Sequence, residues 1–206
     1  MQFTRREVLS LSAVGTGLAA AGCLGSEPPT ASGNTPPSTE EGSAGPAKSC
    51  PSGYEPFEPW YVVESSGPLG GFDLTMDQRG LTLGDTFRCE LRNTTLTQQS
   101  SGIKSKFDVQ YEHEDGWRSV YGAKSGEMVA FIDVAIGHPP RSGFTWEFPF
   151  TKAGLEDIAN DGIGVCGPIK SGTYRFVYWG ITTEREEEEN FETDYALGVP
   201  FTVLDE

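Results

Sequence analysis

Four cysteines and two histidines carry most of the reactive side-chain chemistry in this 206-residue chain. Cys23 closes the small-residue run Ala20-Ala21-Gly22, a setting in which a cysteine is lipidated after cleavage of the leader before it. Cys50, Cys89 and Cys166 remain, an odd number, so oxidation leaves one thiol over. Cys89 falls on the apolar face of an alternating segment, where a thiol behaves as a small hydrophobe. Cys50 and Cys166 lie in turn-rich stretches. Their pairing is the expected disulfide, with Cys89–Cys166 as the rival.

Catalytic and metal patterns lack their context. His113 and His138 have no neighbouring nucleophile motif, and no Gly-x-Ser-x-Gly elbow is present. Ser101-Gly102-Ile103-Lys104 spells Ser-x-x-Lys, and Lys124-Ser125-Gly126 and Lys170-Ser171-Gly172 mimic the companion Lys-Thr-Gly box. That serine belongs on a helix in its enzymes, and here it falls in a turn-rich connection. A blue-copper site needs two His, a Cys and an axial Met, and no His or Met follows Cys166 closely. The carboxylates of 184–194 suit a hard cation only if they converge, and consecutive glutamates read as a solvated acidic loop. No catalytic, cofactor or metal residue is therefore assigned. Asn93-Thr94-Thr95 is a glycosylation acceptor by sequence, although an Asn there also suits a turn. Tyr174, Phe176 and Tyr178 could form a sugar platform, but alternation along one strand favours a core role.

The elements that position these residues begin with a leader. Arg5-Arg6 heads a short, weakly apolar run to Ala21, the form of a twin-arginine export signal, and the run is too short to span a bilayer. Residues 1–22 are expected to be cleaved, leaving Cys23 lipidated and holding the chain at the outer face of the cytoplasmic membrane. Residues 23–55 form a Pro-, Ser-, Thr- and Gly-rich tether that cannot bury enough surface to offset its ordering entropy. The formal net charge of −15 argues against nucleic acid as a partner. With export of a folded chain, that acidity suggests a halophilic archaeon.

Residues 56–206 read as short strands between Gly- and Pro-rich turns. Strands are expected at Trp60–Val63, Phe72–Met76, Thr86–Asn93, Lys106–His113, Trp117–Tyr121, Ala130–Ile136, Phe144–Phe148, Gly172–Trp179 and around Leu197–Val203. Asp115-Gly116 is the sharpest hairpin signal, Pro200 marks an edge or bulge, and only Ala153–Asn160 has helical composition. The pattern predicts an all-β sandwich of about seven to nine antiparallel strands.

Gly84-Asp85, Asn93-Thr94-Thr95, Asp115-Gly116-Trp117 and Gly172-Thr173-Tyr174-Arg175, in that order, resemble the bacterial immunoglobulin-like domains of surface lipoproteins. The resemblance covers roughly Leu81 to Leu204 and implies an immunoglobulin-like fold. It supplies no catalytic position. Tyr174 resembles the tyrosine at the corner of such sandwiches, whose phenol bonds the backbone. The resulting expectation is a non-catalytic, membrane-anchored domain that meets a protein or envelope component. The alternative is an extracytoplasmic accessory domain that binds a small ligand or cation.

Overall fold

The computed structural model describes residues 50–64, 67–127, 129–181 and 195–205. The leader with Arg5 and Arg6, Cys23, the tether up to residue 49 and the acidic stretch 184–194 lie outside the described residues. Among the described residues the fold is all-β with one short helix.

Two sheets carry the core. The smaller orders β3 (Phe72–Met76), β5 (Thr86–Asn93) and β11 (Gly143–Pro149) as β11-β5-β3, antiparallel throughout. In the larger, β14 (Tyr195–Leu204) pairs with β13 (Gly172–Tyr178), then comes β7 (Phe107–His113) and last β8 (Gly116–Ser119). On its other side β14 takes two short parallel partners, β2 (Val62–Glu64) near its start and β4 (Gly80–Thr82) near its end. Thr202 donates its N–H to Arg79 on that side, so the nitrogen of Pro200 faces the same way. It falls between the two parallel partners, where no hydrogen is needed.

Period-two alternation explains the packing. Phe87, Cys89 and Leu91 of β5 are buried, and Phe176 of β13 meets Phe87 at 5.3 Å and Trp146 at 4.9 Å. Tyr174, Phe176 and Tyr178 are all fully buried, so they fill the core rather than form a platform. The Tyr174 phenol, pushed up to about 12 by burial, donates to the Lys170 carbonyl at 2.7 Å and accepts the Lys170 N–H at 3.2 Å. The helix α1 (Lys152–Ile158) starts where the Thr151 hydroxyl accepts the Gly154 N–H at 3.0 Å.

A third sheet orders β1 (Tyr54–Pro56), β9 (Tyr121–Lys124) and β12 (Ile163–Val165) as β1-β9-β12, and β6 (Gln99–Ser101) pairs with β10 (Ile136–His138). Three expectations change here. The strand expected over Trp117–Tyr121 divides at Val120, which gives its N–H to Val109 of one sheet and its carbonyl to Cys166 beside the other. The strand expected over Ala130–Ile136 is absent apart from Ile136, because no sheet edge receives it; Phe131 packs on Trp179 while Ile132 stays 68% exposed. Residues 50–55, assigned to the tether, belong to the fold: β1 pairs with β9, and Cys50 is disulfide-bonded to Cys166.

Candidate functional site

Strand β7 turns Phe107, Val109 and Tyr111 to the core, and alternation sends Asp108 and Gln110 to the opposite face. That face is not left to water. The segment leading into β2 lies across it, so Asp108 and Gln110 are each 1% exposed. Tyr61 donates its hydroxyl to Asp108 Oδ2 at 2.7 Å, Gln110 its amide to the same oxygen at 2.9 Å, and Ser119 its hydroxyl to Oδ1 at 2.6 Å. The Gln110 carbonyl accepts Arg175 Nε at 2.6 Å. Burial pushes the Asp108 carboxyl above the ordinary range although these three donors pull the other way. Burial likewise lowers Arg175, whose guanidinium lies 4.4 Å from the Trp117 ring centroid.

Beside this hub a cleft of about 440 Å³ opens between the β7–β8 hairpin and the chain around Phe57. Ser119 lines it and also holds Asp108, so hub and cleft share a wall. The Cys50–Cys166 disulfide forms part of the far end. Gly122 is needed there: an added Cβ would stand 2.5 Å from Cys166 Sγ and 2.8 Å from Cys50 Sγ. Within the cleft His113 and Arg118 both turn to Asp115, at 3.6 Å and 2.8 Å. The hairpin loop itself is Glu114-Asp115, with Gly116 opposite His113 at φ 113°.

Other sequence-marked residues are structural in their surroundings. Asn93 is fully buried: its amide donates to Thr97 and His138 carbonyls at 2.8 and 2.9 Å, and its Oδ1 accepts from Thr95. Both amide hydrogens are in use, so of the two sequence readings at Asn93, acceptor or turn residue, this geometry supports the turn. Cys89 is free and buried, and burial raises its thiol well above the ordinary value, far from a reactive thiolate. Lys104 lies over the Trp146 ring, 6.0 Å from its centroid.

No sequence motif links Ser101 to His138, yet the two meet. Ser101 Oγ lies 2.9 Å from His138 Nε2, and Tyr178 donates to the same hydroxyl at 3.0 Å. A serine beside an imidazole has the parts of a nucleophile and base. Here both residues are buried, and the ring is held edge-on by Phe72 and Phe144. The pair staples β6 and β10 to β13. Among the described residues no three His, Cys, Asp or Glu side chains are grouped to hold a metal ion.

The hub of Tyr61, Asp108, Gln110, Ser119 and Arg175 was invisible to sequence reasoning, because Asp and Gln alternating with apolar residues read as a solvent face. The one usable signal was Arg175 standing between the aromatic residues Tyr174 and Phe176. No protein-family model, curated protein or solved structure matches the chain.

Proposed function

We propose that this chain is an exported, lipid-anchored and non-catalytic interaction module, whose β domain is immunoglobulin-like and is presented to a protein or envelope component. The observation that carries the reading is the cleft beside β8: it is the site where aromatic, charged and main-chain groups converge at the surface. The Ser101–His138 pair, which has the parts of a nucleophile and base, is buried in the core. The immunoglobulin-like reading draws support from β3 pairing with β5 while the following β4 pairs parallel with β14, and from the Tyr174 phenol on the Lys170 backbone. Export and anchoring rest on Arg5-Arg6 and on Cys23.

Crosslinking on intact cells, with a Cys23→Ser chain as control, tests the reading. One recurrent neighbour lost in the control is expected. Equal scatter over abundant envelope proteins in both would overturn it. The cleft volume also suits a small ligand, which keeps the accessory-domain reading as the alternative. Saturable binding of a low-molecular-weight compound, with no protein neighbour captured, would favour that alternative.

A further inference from the structure

The geometry points to the outer edge of β8 as an acceptor for an extended, cationic peptide strand from a partner protein. This rests on the interaction-module reading and names the partner's chemistry.

Strand β8 ends its sheet and pairs on one side only, with β7. Its register sets Tyr111 against Arg118 and Gln110 against Ser119, and Val120 donates its N–H to Val109. In an antiparallel ladder the residues that exchange bonds alternate, so the main-chain groups of Trp117 and Ser119 turn away from β7. Among the described residues those outward groups meet no other strand.

The cleft follows that edge. Trp117, Arg118, Ser119 and Val120 all line it, although successive side chains of a strand face opposite sides. A hollow touched by consecutive residues runs along the strand's rim, where the backbone is presented. Its far wall includes Pro56 and Pro59, which have no N–H, and Phe57, whose N–H is already bonded to the Tyr121 carbonyl. That wall cannot close onto β8 as a strand. The gap is about 440 Å³, within the ~300–1,000 Å³ usual for ligand clefts. A four-residue edge offers roughly 13 Å of backbone to an incoming strand.

Charge selects the occupant. Arg118 and His113 are turned to Asp115, and Lys170 lies over the Tyr111 ring. Arg175 adds a guanidinium 4.4 Å from the Trp117 ring centroid, but the carboxylates of Glu58 in the wall and of Glu112, Glu114 and Asp115 in the hairpin outnumber Arg118, Lys170 and Arg175 and leave the surroundings net acidic. An incoming strand would place cationic side chains toward these carboxylates. Its alternate apolar side chains would meet Phe57, Tyr111 and Val120.

The test uses the full chain, isotope-labelled, with three synthetic hexapeptides as probes. One alternates lysine and valine, the second alternates glutamate and valine, and the third is the lysine peptide with alternate amides N-methylated. The lysine peptide is expected to shift the Trp117 and Ser119 amide resonances saturably. The other two are expected to bind about tenfold more weakly or worse, one because its charge has the wrong sign and one for lack of donors. A Glu58→Lys chain should lose about fivefold in affinity for the lysine peptide at an unchanged melting temperature. Equal binding of all three peptides, or no saturable shift at Trp117 and Ser119, overturns strand addition. A surface neighbour that binds away from β8 would also sink it, while leaving the interaction module standing. Peptide binding at β8 with no surface neighbour would uphold the edge site and remove the module's role.

Discussion

The phenol of Tyr61 donates to Asp108 Oδ2 across 2.7 Å, joining residues 47 positions apart. That contact fastens the chain before β2 onto the outward face of β7, and it shelters a carboxyl group where alternation alone would have left it in water. The folded state holds the Asp108 proton more tightly than an unfolded chain does. Its contribution is therefore greatest below the unfolded value of ~3.9 and is lost as pH rises through the raised folded value.

Removing the Tyr61 hydroxyl takes away one donor that favours the charged form, so the folded value climbs further. Tyr61→Phe should cost about 1–3 kcal/mol at neutral pH, and less near pH ~4, where the carboxyl is protonated. Urea denaturation across that range reads the difference, and a deficit independent of pH would refute the assignment.

The disulfide closes a loop with a sequence separation of 116. On the chain-entropy account, a bridge of that span contributes about 4–5 kcal/mol. A Cys50→Ser, Cys166→Ser chain should lose most of this in denaturant titration, and added reductant should then change nothing further. A loss under about 1 kcal/mol would mean that strain, or structure retained after unfolding, cancels the constraint.

Tyr174 is fully buried and bonds both main-chain groups of Lys170. Tyr174→Phe keeps the ring and strands those two groups, so a loss of about 1–3 kcal/mol is expected with the circular dichroism spectrum unchanged. A neutral result would show that water replaces the phenol there.

Burial lowers His138 below its ordinary value, so the unfolded chain takes up the proton first as pH falls. Stability from this group is full above ~6.5 and declines as pH drops from there toward the lowered folded value. His138→Gln should flatten that slope. Ser101→Ala should cost about 1–2 kcal/mol and leave hydrolysis of a simple activated ester at the same background as the unaltered chain. A serine-dependent burst would show that the pair reaches substrate.

How far the sequence foretold this depends on whether the signal was local. Phe72–Met76 and Thr86–Asn93 form strands with the expected bounds because apolar and polar residues alternate there over enough positions to define a face. Ile163–Val165 is too short to show a period, and it becomes a strand only because β9 lies beside it. Ala130–Ile136 has the composition of a strand and finds no edge. Asp108 looked exposed because its cover, Tyr61, comes from a distant segment. Ser101 and His138 meet only because β6 pairs with β10. Cys50–Cys166 is the pairing present in the structure, with Cys89 free.

The position of β14 has a kinetic consequence. Val62 pairs with Tyr195 and Gly80 with Thr202, so β2 and β4 find their partner only after nearly all the intervening chain has left the ribosome. Until then β13 shows a bare edge next to an aromatic interior. Closure of the larger sheet is thus a late, non-local event with a high loop-closure cost, of the sort that slows β folding. A ribosome stalled short of Tyr195 would hold a half-built sheet with the edge of β13 uncovered, the state in which a chaperone has most to do.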